Sequence, residues 1–270
     1  MKIKGCVAVL TGAGSGIGRE LALALARGGC QLALVDINAI QLAETAELAR
    51  GLGVRVSEHA MDVADRTAIA GLPEQVIARH GQVDLLINNA GVALGGTFEQ
   101  VTVENFDWLM AINFDAVVCM TRVFLPLLKQ RPVARIVNLS SLFGLITPAG
   151  QTAYCASKFA VRGFSNALRL ELMGGPVGMT VVHPGGIATA IASSARVPDG
   201  TCEKELAVRL KRTEKLLRMP PAKAAEIILR GVVLNKPRVI VGNDARILSW
   251  LERLLPVSYW RFLPGLSSKG

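Results

Sequence analysis

The chain is poor in aromatic residues, in charge and in the residue types that build metal or disulfide frameworks. Aromatics make up 5% and charged residues 19% of its 270 residues, against 51% hydrophobic. That composition excludes a disordered chain and a coiled coil. There are three His and five Cys. Cys6, Cys30, Cys119, Cys155 and Cys202 show no C-x-x-C spacing, so neither a zinc site nor a disulfide framework is indicated. Dispersed thiols of this kind point to a reducing cytoplasm. The longest uncharged stretches, 136–157 and 172–195, are broken by Asn, Ser, Gln, Pro and Gly, so neither reads as a membrane span. The opening Met1-Lys2-Ile3-Lys4 and its apolar run stop at Leu10 in a glycine cluster, which suits a first strand better than a signal peptide.

Net charge is +9, a value that raises the question of a polyanionic partner. Its distribution answers the question. Residues 1–195 carry 15 basic and 14 acidic groups, whereas residues 196–270 carry 15 basic and 7 acidic groups. The basicity belongs to the C-terminal part, and nucleic acid is not expected as a partner.

Apolar runs at Cys6–Leu10, Gln31–Val35, Arg55–His59, Leu85–Asn88, Arg135–Leu139, Met179–His183 and Arg238–Val241 read as strands. Amphipathic stretches lie between them, among them 19–28, 39–52, 67–80 and 103–128. The alternation predicts an α/β fold, a Rossmann-like doubly wound parallel sheet of about seven strands with helices on both faces. One domain spans 1–270, without repeats or linkers. Residues 190–222 break the alternation and are expected to form a lid over a binding site.

Directly after the first strand comes Thr11-Gly12-Ala13-Gly14-Ser15-Gly16-Ile17-Gly18, opening a helix near Arg19. Glycines there permit a tight turn and let a pyrophosphate reach peptide N–H groups at a helix N-terminus. Asp36 closes the second strand, where a carboxylate accepts ribose hydroxyls and repels a 2′-phosphate. Tyr154 and Lys158 stand four residues apart, on one face of a helix. A free phenol has a pKa of about 10 and needs nearby positive charge to work as a base.

These motifs resemble those of the short-chain dehydrogenase/reductase family, and the likeness runs through residues 1–190. T-G-x-x-x-G-x-G at 11–18 is similar to its nucleotide turn. The resemblance implies cofactor contacts at Gly12, Ser15, Gly16, Ile17, Gly18, Asp36 and Ile37. It implies further contacts at Asp62 and Val63, beside adenine, and at Asn89, Ala90 and Gly91 of the N-N-A-G segment. Pro184, Gly185, Ile187 and Thr189, in a P-G-x-x-x-T segment, would meet nicotinamide, and Tyr154 and Lys158 would also touch the cofactor. Family members that prefer NADP often carry a basic residue where this chain has Ser15 or Ile37, so NAD(H) is expected over NADP(H). Arg19, near the phosphates, is the one residue that argues the other way.

The same resemblance implies a catalytic set of Asn113, Ser141, Tyr154 and Lys158. Tyr154 would exchange the proton, Lys158 would lower its pKa and bind the nicotinamide ribose, Ser141 would orient the reacting oxygen, and Asn113 would hold a water chain. The implied reaction interconverts a secondary alcohol and a ketone by hydride transfer, with no metal. Two alternatives stay open: an idle nucleotide-binding sensor or scaffold, and an epimerase or dehydratase on the same fold. A homodimer or homotetramer is expected through the helices bearing Asn113 and Tyr154.

Ala93, Leu94, Phe143, Leu145, Gln151 and Ile191 are expected around the substrate. Their apolar character suggests a lipophilic small molecule, with no Arg or Lys placed to clamp an anion deep in the site. His183 precedes the Pro-Gly pair and reads as a packed or capping residue, while His59 and His80 look exposed. Residues 245–263 form an amphipathic tail, with Ile247, Leu248, Leu251, Leu254 and Leu255 at helical spacing, Trp250 beside them and Pro256 as a stop. Such a tail packs on the domain or on a partner subunit, or makes peripheral contact with an anionic membrane.

Overall fold

The seven expected strands all form, two with the expected bounds and five with an end shifted by one or two residues. They are β1 (Val7–Thr11), β2 (Gln31–Asp36), β3 (Val56–Ala60), β4 (Leu85–Asn88), β5 (Ala134–Leu139), β6 (Val177–Pro184) and β7 (Arg238–Val241). The computed structural model describes residues 1–198 and 216–262. Most of the expected lid and the end of the tail therefore lie outside the described residues. The strands make one sheet in the order β3-β2-β1-β4-β5-β6-β7, and every neighbouring pair is parallel.

Eight α-helices among the described residues join and cover the strands: α1 (Gly16–Arg27), α2 (Ala39–Arg50), α3 (Arg66–His80), α4 (Val103–Met110), α5 (Ala116–Lys129), α6 (Thr152–Glu171), α7 (Pro221–Val233) and α8 (Asn243–Leu254). Strand side chains alternate between the two faces of the sheet. Ala8 and Leu10 pack with Leu21 and Leu25 of α1, Leu42 of α2 and Ile228 of α7. Val9 between them packs with Leu72 of α3 and with Met120 and Phe124 of α5. The chain winds outward from β1 to β3 and then returns to β4 on β1's other side. A crevice opens at the carboxyl ends of β1 and β4, where the winding reverses.

Two helix expectations need correction. α1 begins at Gly16 rather than near Arg19, because the last glycines of the turn already belong to its first helical turn. The stretch 103–128, expected as one helix, is interrupted by a π-helical turn at Ala111–Asp115 that contains Asn113. Val103–Lys129 is the one stretch among the described residues long and apolar enough by composition to cross a membrane. Its Met120, Phe124 and Leu128 are buried in the sheet-facing core.

His59 and His80, expected to be exposed, are both 8% exposed. The Ser57 hydroxyl bridges their Nε2 atoms at 2.9 Å each, and His59 Nδ1 meets Gln75 Oε1 at 3.2 Å. Ser57 and His59 of β3 meet His80 and Gln75 of α3, and His80 continues the buried face of Ile69, Leu72 and Val76. Burial pushes the His80 pKa down to about 4 and lowers that of His59. A histidine held neutral in the folded state stabilises it above the ordinary pKa of 6.5, and that contribution is lost as pH falls toward about 4. Thermal midpoints should therefore drop across this interval, and His80→Gln should flatten the drop. An unchanged pH dependence in the variant would show that the histidine does not carry it.

Candidate functional site

The glycine turn after β1 is stapled from the β4 side. Asn89 Nδ2 donates to the carbonyls of Thr11 and Gly12 at 3.0 Å each, while Thr11 Oγ1 accepts from the N–H groups of Asn89 and Ala90 at 3.0 Å. Gly12 and Gly16 have φ of +66° and +54°, in the left-handed region that favours glycine. A Cβ on Gly18 would run into the Gly12 carbonyl, and one on Gly16 would press against Thr189. The turn is a cradle open only as far as its glycines keep it open. Asp36, at the tip of β2, accepts from Gly14 N–H at 2.8 Å and from Asn38 N–H at 2.9 Å.

A cleft of about 530 Å³ runs from this cradle to Tyr154. Gly12, Ser15, Gly16, Ile17, Gly18, Asp36 and Ile37 line one end. Asp62, Val63, Asn89, Ala90 and Gly91 follow, and Pro184, Gly185, Ile187 and Thr189 close the opposite wall with Ser141, Tyr154 and Lys158. The expected cofactor residues thus meet in one cavity. Its glycine cradle, helix N-terminus and ribose-height carboxylate fit a dinucleotide. Arg19 is committed elsewhere: its Nε donates to Gly14 O and Thr45 Oγ1 at 3.0 Å, and its Nη2 pairs with Glu44 at 2.8 Å. Among the described residues, no three His, Cys, Asp or Glu side chains gather as a metal site would require.

Tyr154 and Lys158 sit one turn apart near the start of α6, and Lys158 Nζ lies 5.6 Å from the Tyr154 ring centre. Nζ donates to the Leu139 carbonyl at 3.2 Å. Burial pushes the Lys158 pKa down to about 8 and the Tyr154 phenol up to about 12. The phenol shift runs opposite to the lowering expected from Lys158. The pocket desolvates both groups, which disfavours phenolate and ammonium alike. A hydrogen bond with the Ser141 side chain acts in the lowering direction. Ser140 Oγ instead donates to the Lys158 carbonyl at 2.8 Å, a buried tie between β5 and α6.

Asn113, fully buried in the π turn, accepts from Val92 N–H at 2.8 Å and donates to Val92 O and Ser157 Oγ. A Cβ on Gly91 would stand 3.2 Å from Asn113 Oδ1 and 3.3 Å from Lys158 Nζ, so the two side chains converge across that glycine. The Asn113 amide clamps the segment after β4. π turns recur where a helix must deliver one residue to a site.

His183 is packed, as expected. It is fully buried, its Nδ1 meets the Ser141 carbonyl at 3.0 Å, and burial lowers its pKa to about 4. Of the expected substrate residues, Ile191 lines the cleft. Leu94 and Leu145, each 2% exposed, are spent on packing, the first against Leu109 and Ala153 and the second against Tyr259 and α8. Phe143 stands edge-on to the Tyr154 ring at 6.1 Å, Gln151 bridges to Gly96, and Ala93 O accepts from Arg196 N–H. These five positions flank the cleft without lining it, because adjacency in sequence to a site residue does not fix which way a loop side chain turns.

The walls that sequence reasoning missed include Val92, Trp108, Ile112, Ser194, Arg196 and Leu217. They come from four separate chain segments with no shared motif. Asp244 was missed as well. Its Oδ2 accepts from Gly186 N–H at 2.7 Å, fastening the first turn of α8 to the Pro184–Gly186 loop. The tail stripe divides in two. Leu248, Leu251 and Leu255 pack with Ala245 and Tyr259 against Leu142, Leu145 and Ile146, whereas Ile247 and Leu254 are exposed with Trp250. The i, i+3, i+7 spacing occurs twice, once from 248 and once from 247, on faces about 100° apart. Tyr259 Oη accepts from Thr147 N–H at 2.7 Å, so the tail braces the loop that follows Ser141.

Residues 6–199 match the profile of the family described as short chain dehydrogenase. SadH of Mycobacterium tuberculosis, which its name assigns to the oxidoreductases, is 43% identical over 262 residues, covering 96% of this chain and 94% of SadH. The 3-oxoacyl-[acyl-carrier-protein] reductase FabG of Thermotoga maritima is 31% identical over 230 residues, covering 85% of this chain and 91% of FabG. A Burkholderia phymatum short chain dehydrogenase/reductase, crystallised in complex with NAD, superposes with a TM-score of 0.87 at 27% identity, covering 94% of this chain and 95% of that one.

The cradle makes a structural prediction. Gly18→Ala must displace the Gly12 carbonyl or the start of α1, and overpacking of this kind costs about 1–3 kcal/mol. Urea denaturation should register that loss. An unchanged midpoint would mean that the turn yields freely.

Proposed function

The chain belongs to the short-chain dehydrogenase family and is an oxidoreductase of that family, and from this premise we propose that it interconverts a lipophilic secondary alcohol and its ketone using NAD(H). The observation that carries the reading is the single cleft joining Asp36 and the glycine cradle to Ser141, Tyr154 and Lys158. Bound nicotinamide supplies the hydride chemistry. The Ser141 hydroxyl orients the reacting oxygen. Tyr154 takes the hydroxyl proton in oxidation and returns it in reduction. Lys158, with a pKa depressed to about 8, exchanges protons near neutrality and holds the nicotinamide ribose. Asn113 keeps Val92 and Gly91 in place beside it and borders the water chain that relays those protons. An idle scaffold does not need this set.

Two features support NAD over NADP. The Asp36 carboxylate lines the glycine-cradle end of the cleft, where it would repel a 2′-phosphate, and Arg19 is held by Glu44 and Thr45. The apolar wall of Val92, Trp108, Ile112, Ile191 and Leu217 supports a lipophilic substrate. Absorbance at 340 nm with paired NADH and NADPH against a ketone panel tests the reading. NADH should be preferred, and Asp36→Ala should shrink that preference by at least tenfold. Preference for NADPH, or highest kcat/KM on a polyhydroxylated substrate, would overturn it.

Assembly as a homodimer or homotetramer in the cytoplasm is part of the proposal, with peripheral membrane contact through the tail. The outer face of α8 and the following turn expose Ile247, Trp250, Leu254, Val257, Trp260 and Phe262. Arg246, Arg253 and Arg261 accompany them. Aromatic and aliphatic groups beside arginines suit an anionic lipid surface. The full chain should sediment with phosphatidylglycerol vesicles, and joint substitution Ile247→Ser, Trp250→Ser and Leu254→Ser should release it. Equal recovery of both proteins in the supernatant would remove the membrane contact.

A further inference from the structure

Arg196, on the substrate wall, has no carboxylate within ion-pair range among the described residues. Arg196 lines the cleft from its exposed side, and its guanidinium carbon lies 3.6 Å from the centre of the Trp108 ring. That distance puts the guanidinium over the indole face, in cation–π range. Trp108 belongs to the same apolar cluster as Tyr154, Leu109 and Ala153. The cation is therefore carried at the chemical end of the cleft, away from the adenosine end at Asp36.

Arg196 is also held by its backbone. Its N–H donates to Ala93 O at 3.0 Å and its carbonyl accepts from Gly95 N–H at 3.1 Å, a parallel bridge with Leu94. Gly96 is in turn bridged to Gln151, three residues before Tyr154. The indole contact fixes the other end of the side chain. Nη1 donates to Asn105 Oδ1 at 3.2 Å, and no carboxylate among the described residues lies in ion-pair range. A guanidinium has five N–H donors in a planar fork, and among the described residues Asn105 is the one side chain that accepts from it. A surface arginine loses its rotamer freedom when it is held this way. A bidentate oxyanion is the ligand that such a fork matches.

We propose that Arg196, held over the Trp108 ring, binds an oxyanion at the far end of the substrate, so that the substrate is an apolar ketone or alcohol bearing a carboxylate or phosphate distal to the reacting carbon. This rests on the oxidoreductase reading of the same cleft. The apolar wall holds the body of the molecule, Ser141 and Tyr154 hold the reacting oxygen, and Arg196 sets the length between them. Specificity then depends on chain length as well as polarity, since the charged terminus reaches the fork only from a body that spans the wall.

The test pairs octan-2-one with 7-oxooctanoate, which add a carboxylate to one methyl ketone skeleton, and includes acetoacetyl-coenzyme A as a phosphate-bearing ketone on a long arm. Wild-type protein, Arg196→Met and Arg196→Lys are compared with NADH. The ratio of kcat/KM for an anionic ketone over octan-2-one should exceed one in the wild type. It should fall about tenfold in Arg196→Met, the equivalent of one lost charge-assisted contact, and recover in part in Arg196→Lys. Preference for 7-oxooctanoate identifies a carboxylate terminus, and preference for the coenzyme A thioester identifies a phosphate. Calorimetric titration of octanoate into the NAD-saturated protein reads the same contact without turnover, and its affinity should fall in parallel. Turnover of octan-2-one with a ratio near one, or a ratio and octanoate affinity indifferent to Arg196→Met, would overturn the assignment while leaving the oxidoreductase reading intact. Octanoate binding that depends on Arg196, with no ketone reduced, would sink the proposed alcohol–ketone activity and keep the anion site.

Discussion

Desolvation of the Tyr154–Lys158 pair is the constraint on which the rest of the site depends. Closing α6 over β5 buries Lys158 and partly desolvates Tyr154, which disfavours both charged forms, lifting the phenol and lowering the ammonium. The fold tolerates this because each neighbour is itself fixed. Lys158 is tied to the Leu139 carbonyl, Ser140 to the Lys158 carbonyl, and Asn113 to both backbone groups of Val92. An acid/base group whose ordinary pKa is about 10 becomes useful at neutral pH only where fixed charge arrives with the cofactor and substrate. On this account the partly desolvated pocket keeps the phenol protonated until the complex is assembled.

The same closed geometry links distant parts of the chain to the chemistry. The C-terminal helix fastens the Pro184–Gly186 loop through Asp244 and braces the loop after Ser141 through Tyr259. His183 holds the Ser141 carbonyl from β6. The tail is therefore a buttress of the site on its inner face, whatever its outer face meets. The basic character concentrated after residue 195 divides along the same line, with Arg196 at the cleft and Arg246, Arg253 and Arg261 on the exposed tail.

The strands were legible in the sequence because buried parallel strands are near-continuous apolar runs, and the glycine turn was legible because its conformations exclude other residues. Asn113, Ser141, Tyr154 and Lys158 could be named from family resemblance, and the fold brings them around one cleft. The π turn at Ala111–Asp115 was invisible, since it inserts one residue into a helix without changing its composition. The substrate wall was also invisible. Leu94 and Leu145 turn inward to pack while Trp108 and Arg196, 88 positions apart in sequence, meet. Such pairings depend on loop paths that periodicity does not encode. The burial of His59 was missed because a short edge strand carries little alternation, whereas that of His80 follows the helical spacing of Ile69, Leu72 and Val76.

The central claim is that Tyr154 moves the proton in a cleft that binds nicotinamide dinucleotide independently of that phenol. The most direct measurement pairs NADH fluorescence titration with single-turnover ketone reduction in the wild type and Tyr154→Phe. The account predicts NADH affinity within about threefold of wild type and a rate lowered by at least 10²–10⁴-fold, the range for loss of a positioned proton donor. A variant that binds NADH normally and still reduces the ketone at a comparable rate would contradict it.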